Sequence, residues 1–153
     1  MLVKTYGAAV QGINATLITI EVNVETRGLK FFLVGLPDNA VKESHERIAS
    51  ALSVNGYKMP HKQITINMAP ADIRKEGAAY DLPLAIGILA GSGQVDCPDL
   101  DKYIIMGELS LDGSLHPIKG VLPIAIKARE DGFKGFILPQ ANAKEAAVVN
   151  NLE

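Results

Sequence analysis

The chain carries a single cysteine, Cys97, so an internal disulfide and a multi-cysteine zinc site are both excluded. Cys97 sits in a loop-like stretch, Val95-Asp96-Cys97-Pro98-Asp99, where an incidental or structural thiol is expected. Tryptophan is absent and aromatics make up only 5%, so the core is expected to be built mostly from Ile, Leu, Val and Ala. Neither charge sign dominates: 15 Lys and Arg against 17 Asp and Glu give a formal net charge of −2. The basic residues are interleaved with acids, as in Lys42-Glu43, Glu46-Arg47 and Arg74-Lys75-Glu76. This is a solvated-surface pattern, without the basic face that tight phosphate binding needs. Nucleic acid is left only weak contacts, contributed by several copies in an oligomer.

Long apolar runs are also missing. The longest, near residues 82–90, is too short to cross a bilayer, which takes roughly 20 residues. The opening MLVKTYGAAVQG lacks the basic segment and long apolar stretch of a signal peptide, so a cytoplasmic protein is expected. No GxxxxGK[ST] string occurs, and Gly87, Gly91 and Gly93 do not match the dinucleotide fingerprint. They are read instead as glycines for close helix packing or helix termination. His45, His61 and His116 lie far apart and form no metal-binding pair. The acids Asp72, Glu76, Asp81 and Glu108 have no spacing that defines a catalytic pair.

What remains describes one globular domain covering residues 1–153. Hydrophobic residues are 48% and charged residues 21%. A chain of this length buries roughly 70% of its unfolded surface and needs no covalent staple. Residues 16–25 alternate strictly, with Ile18, Ile20, Val22 and Val24 on one face of a half-buried strand. Strands at 3–10 and 29–34 flank it through Gly12 and Arg27-Gly28, which predicts an antiparallel meander. A helix follows from Pro37-Asp38 to Asn55-Gly56, with Val41, Ile48 and Leu52 on one side and Lys42, Glu43, His45, Glu46 and Arg47 on the polar side. Ile64, Ile66 and Met68 mark a fourth strand.

Residues 69–80 then read as a loop leading to Asp81 as N-cap of a helix that is apolar all round, hence central and buried. Strands at 103–109 and 115–117 flank an Asp112-Gly113 hairpin turn, and a helix spans 121–131 with Pro123 in its first turn. A strand at 133–138 precedes a last helix, opened by a capping box at Asn142-Ala143-Lys144-Glu145. The fold class expected is α+β, or mixed α/β: a sandwich with an N-terminal meander and then interleaved helices and strands. The abrupt stop after a helix suggests a fragment.

Three strings carry a family resemblance. They are Val34-Gly35-Leu36-Pro37-Asp38 with Ala40-Val41-Lys42-Glu43-Ser44; Asn67-Met68-Ala69-Pro70-Ala71-Asp72 with Lys75-Glu76-Gly77 and Tyr80-Asp81-Leu82-Pro83; and Gly107-Glu108-Leu109-Ser110-Leu111-Asp112-Gly113. In this order, across essentially the whole chain, they resemble the amino-terminal domain of Mg-chelatase-like AAA+ ATPases of the ComM/YifB type. The resemblance implies the fold of the Lon proteolytic domain, within the ribosomal-protein/GHMP-kinase superfamily type. It also implies an ATPase module downstream, absent from this chain, which would bind ATP and Mg. The partners it implies are that module, neighbouring subunits of a ring, and DNA through the full-length protein.

Lon peptidases use a serine activated by a lysine that must lose its proton near neutral pH. Carried over on the Glu76-Gly77 and Gly107-Glu108 strings, the serine position holds Ala79 and the lysine position holds Leu122. Neither side chain can do the chemistry. Lys119 lies three residues before Leu122, and Tyr80 has a hydroxyl, but its unperturbed pKa of about 10 makes it a poor nucleophile. The expectation is a domain without catalysis or bound cofactor, serving as scaffold or interaction surface in an ATPase of DNA recombination. The charged loop Asp72, Arg74, Lys75 and Glu76 is the contact surface it offers. The other function classes left open are a residual Lon-type peptidase and an isolated DNA-binding module.

Overall fold

A computed structural model describes residues 1–153. Six strands form one mixed sheet: β1 (Leu2–Gln11), β2 (Asn14–Val24), β3 (Phe31–Val34), β4 (Ile64–Ala69), β5 (Tyr103–Ile105) and β8 (Gly135–Ile137), in the order β3-β4-β2-β1-β5-β8. A separate hairpin pairs β6 (Glu108–Leu109) with β7 (Leu115–His116). The helices are α1 (Asn39–Lys42), α2 (Ser44–Val54), α3 (Asp81–Gly91), α4 (Val121–Glu130) and α5 (Ala143–Ala146).

The alternation read in β2 is realised: Ile18, Ile20, Val22 and Val24 are all buried, continuous with Ile64, Ile66 and Met68 of β4. On this face lies α3, the apolar helix, so close that a Cβ at Gly87 would stand 2.6 Å from Val22 Cγ2. Gly87 therefore serves close packing, as its place in an apolar helix suggested. On the same side, α2 sets His45 edge-on to Phe31, with ring centroids 4.6 Å apart. The first turn of α4 meets the sheet from the other side, where Gly120 abuts Val10.

The meander is corrected. β1 and β2 pair antiparallel, but β3 does not pair with β2; β4 lies between them, antiparallel to β2 and parallel to β3. The physical reason is burial. β4 has a full buried alternation, whereas β3 leaves Phe32 and Val34 exposed and so takes the edge. The helical crossover through α1 and α2 provides the length that a parallel pair requires.

Other boundaries move for local reasons. The helix expected from Asp38 is two helices abutting at Glu43, the first capped by Asp38 Oδ1 accepting from the Val41 N–H at 2.8 Å. The strand expected over 103–109 divides because Gly107 leaves the sheet, its N–H donating to the Ala79 carbonyl at 2.8 Å. Asn142 makes no cap. Its side chain instead accepts from Ile118 N–H at 2.9 Å and donates to Ile118 C=O at 3.1 Å, pinning the segment before α4. No helix is long and apolar enough to cross a membrane.

Candidate functional site

The three strings meet in space. The Lys75 N–H donates to Leu36 C=O and the Asp38 N–H to Lys75 C=O, both at 2.9 Å. Asp38 Oδ2 accepts from the Gly77 N–H at 3.1 Å. Gly107 accepts from the Leu82 N–H at 3.0 Å, while its own N–H holds Ala79. Strings that stand apart in sequence are thus the walls of one structure.

Lys75 is fully buried, with its ammonium donating to Gly35 C=O at 2.6 Å and to Pro70 C=O. Burial lowers its pKa, opposed by the nearby Asp72 carboxylate. Lys75 is therefore withdrawn from the proposed contact loop, because two carbonyls satisfy it inside the protein. Asp72, Arg74 and Glu76 remain exposed, Arg74 and Glu76 forming an ion pair at 3.2 Å. Lys75→Met would keep the aliphatic stem but leave both carbonyls without this donor. Each such orphaned group costs about 1–3 kcal/mol, partly offset here by removing a desolvated charge. A net loss of about 2 kcal/mol is expected in urea denaturation, and an unchanged midpoint would refute the clamp.

Asp81 is not an N-cap. A 3-10 turn at Ala78–Tyr80 runs directly into α3, and Asp81 is its first helical residue, fully buried. Arg47 grips it from α2, Nε to Oδ2 at 2.7 Å and Nη2 to Oδ1 at 2.9 Å, while Oδ2 also accepts from the Leu109 N–H at 3.0 Å. Arg47 Nη2 reaches Ala40 C=O as well, at 2.7 Å. Burial pushes the Asp81 carboxyl upward, opposed by the Arg47 hydrogen bonds and the Leu109 N–H. The Arg47 guanidinium is held above its ordinary value first by its hydrogen bond to Asp81. Sequence reasoning placed Arg47 on a solvated helix face. The available signal was a carboxylate opening an apolar helix, which demands a cation, but spacing does not say which one.

Between these walls lies a cleft of about 360 Å³. Its lining includes Ala8 and Val10 of β1, the run from Glu76 to Tyr80, Glu108, and Lys119 just before α4. Ala79 and Lys119 therefore share the cleft, whereas Leu122 is 38% exposed and does not line it. Tyr80 is 2% exposed, with its hydroxyl donating to Ala8 C=O at 3.2 Å. Its pKa is raised well above that of an ordinary phenol, by burial first and then by Asp38 and Glu76. Tyr80 is a locked donor, unsuited to attack.

Apart from Tyr80, no hydroxyl, imidazole or thiol side chain lines the cleft, and Ser44 Oγ is buried without a hydrogen-bond partner. Ser50 donates to Leu111 C=O, Ser92 to Leu89 C=O, and Ser114 to Asp112, while Ser110 pairs with His116 at 2.5 Å on the exposed hairpin. His45 contacts Glu46, His61 is exposed, and half-buried Cys97 lies away from the cleft. No three His, Cys, Asp or Glu side chains gather as a metal site.

Residues 20–142 match the family model described as subunit ChlI of Mg-chelatase. The chain is 44% identical over 150 residues to competence protein ComM of Haemophilus influenzae, covering 98% of this chain and 29% of that protein. It is 44% identical over 143 residues to YifB of Escherichia coli, covering 93% and 28% respectively. A more distant similarity, 32% over 102 residues, links 66% of this chain with 18% of Lon protease 2 of Bacillus subtilis. The chain thus spans less than a third of the length of the ComM and YifB relatives.

Proposed function

Because the chain belongs to the family of the ChlI subunit of Mg-chelatase, we propose that it is a non-catalytic, Lon-like scaffold domain of a Mg-chelatase-like AAA+ ATPase. The complete subunit hydrolyses ATP with Mg, assembles as a ring, and moves branched DNA during recombination of incoming DNA. The competence protein among its relatives supports that setting, and the similarity to a Lon protease supports the Lon-type fold.

One observation carries the reading: the cleft that would hold a peptidase centre presents a methyl group at Ala79. Covalent catalysis needs a nucleophile placed beside its base, and Lys119, although it lines the same cleft, has no hydroxyl there to activate. The exposed residues Asp72, Arg74 and Glu76 are the contact loop toward a neighbouring subunit or DNA, and Glu76 also lines the cleft.

The experiment has two arms. Residues 1–153 are incubated with a fluorogenic peptide panel, and turnover no faster than buffer is expected; turnover abolished by Lys119→Ala would overturn the reading. The full-length subunit is then compared with a version lacking residues 1–153 on a fluorescent four-way junction with ATP. Loss of ring assembly or of junction processing is expected on deletion. Unchanged assembly and processing would remove the scaffold role.

A further inference from the structure

The β8 edge already carries the start of another strand. The Glu153 N–H donates to Lys134 C=O at 2.9 Å, and its carbonyl accepts from the Phe136 N–H at 2.8 Å. One residue bonding to both neighbours of Gly135 is the pattern of a parallel ladder. Glu153 therefore extends the row Tyr103–Gly135, and the Tyr103 hydroxyl donates to Glu153 Oε2 at 3.0 Å, as residues of one row should. The next row on the same face is Ile105–Ile137. Beyond it, the Leu138 N–H, pointing to the same open edge as Phe136, has no acceptor in the protein.

Beside this edge runs an apolar groove of about 300 Å³. Leu82 and Ile86 of α3 form one wall, Tyr103, Ile105 and Ile137 form the sheet side, and Leu100 closes the end. Leu82 and Ile86 are the two residues of α3 that the fold leaves unburied, and they lie one turn apart. A helix apolar on all sides is thus covered everywhere except on the stripe facing this groove. Ile137 is 44% exposed at its mouth.

We propose that polypeptide following Glu153 in the full-length subunit continues as a seventh strand on β8, parallel to it, and that the second residue after Glu153 is apolar and fills the groove. That residue falls in the Ile105–Ile137 row, on the groove's side, because row partners share a face. This chain spans only 29% of the ComM relative. The added strand also covers an edge that would otherwise recruit other chains. The junction with the rest of the subunit is then a continuous sheet rather than a free linker. The proposal rests on the reading that this domain is one module of a longer subunit.

Amide hydrogen exchange on the full-length subunit and on residues 1–153 tests it. The Leu138 amide is expected to exchange at least about tenfold more slowly in the full-length protein, with β2 amides as the folding control in both. Ile137→Glu, and Ile137→Ala should the first fail to fold, is expected to return Leu138 toward the rate of the short chain. Equal Leu138 exchange in the two proteins would overturn the proposal. So would concentration-dependent protection of Leu138 in residues 1–153 alone, which would assign the groove to a second copy. ATP hydrolysis, measured in parallel, reads the module assignment separately: its absence would sink the ATPase reading while leaving the exchange comparison intact.

Discussion

Asp81→Ala is expected to destabilise the domain by about 3–5 kcal/mol, the range for breaking a buried ion pair by deleting one partner. Asp81 is fully buried and accepts two hydrogen bonds from Arg47 and one from the Leu109 N–H. Deletion leaves a guanidinium, its side chain only 20% exposed, without its hydrogen-bonded carboxylate and with only the more weakly coupled Glu43 and Glu108 as counter-charges, and leaves the Leu109 amide with no acceptor. The damage extends across α2, α3 and the β6 hairpin, because this carboxylate is where all three meet. Urea denaturation followed by circular dichroism measures the loss. Replacing both partners, Arg47→Met with Asp81→Leu, should recover part of it, since no charge is then stranded. A loss below about 1 kcal/mol for Asp81→Ala would mean that the pair is no more than a surface contact.

Gly35→Ala is the second large effect. Gly35 has φ 106°, a conformation that side chains rarely adopt, and a Cβ there would stand 2.2 Å from the Met68 carbonyl oxygen. The strain alone is worth about 1–3 kcal/mol, and displacing a backbone carbonyl of β4 adds to it. Gly35 also lends its carbonyl to Lys75, so the shift loosens the buried clamp at the same time. A loss above about 3 kcal/mol is expected, lowering Tm by roughly 6–12 °C in a domain of this size. A fall of under about 2 °C would show that the strand end yields without cost.

These two residues illustrate how the family strings work. Gly35, Asp38, Lys75, Gly77, Asp81 and Gly107 are engaged with one another or with the backbone around the cleft. They build its walls, and the chemistry depends on what stands between those walls. Ala79 was legible as a position because a motif fixes it, and the structure brings it into the cleft with Lys119. Leu122 was reached by counting from a more distant string, and it stands outside. The contact loop was read from charge alone, and charge does not reveal that Lys75 turns inward.

Local order was written in the sequence wherever one residue's neighbours suffice to decide it. The strict alternation of Ile18, Ile20, Val22 and Val24 yields a strand with one buried face, and the unbroken apolar character of the segment after Asp81 yields a central helix, because periodicity is an energetic demand for burial. Partner choice was not written there. That β4 enters between β2 and β3, that Arg47 closes on Asp81 across 34 positions, and that Asn142 serves Ile118 instead of capping α5 depend on which groups lose water together when the layers close. A polar group taken out of solvent must find a partner wherever the fold puts one, and only the assembled tertiary structure specifies where that is.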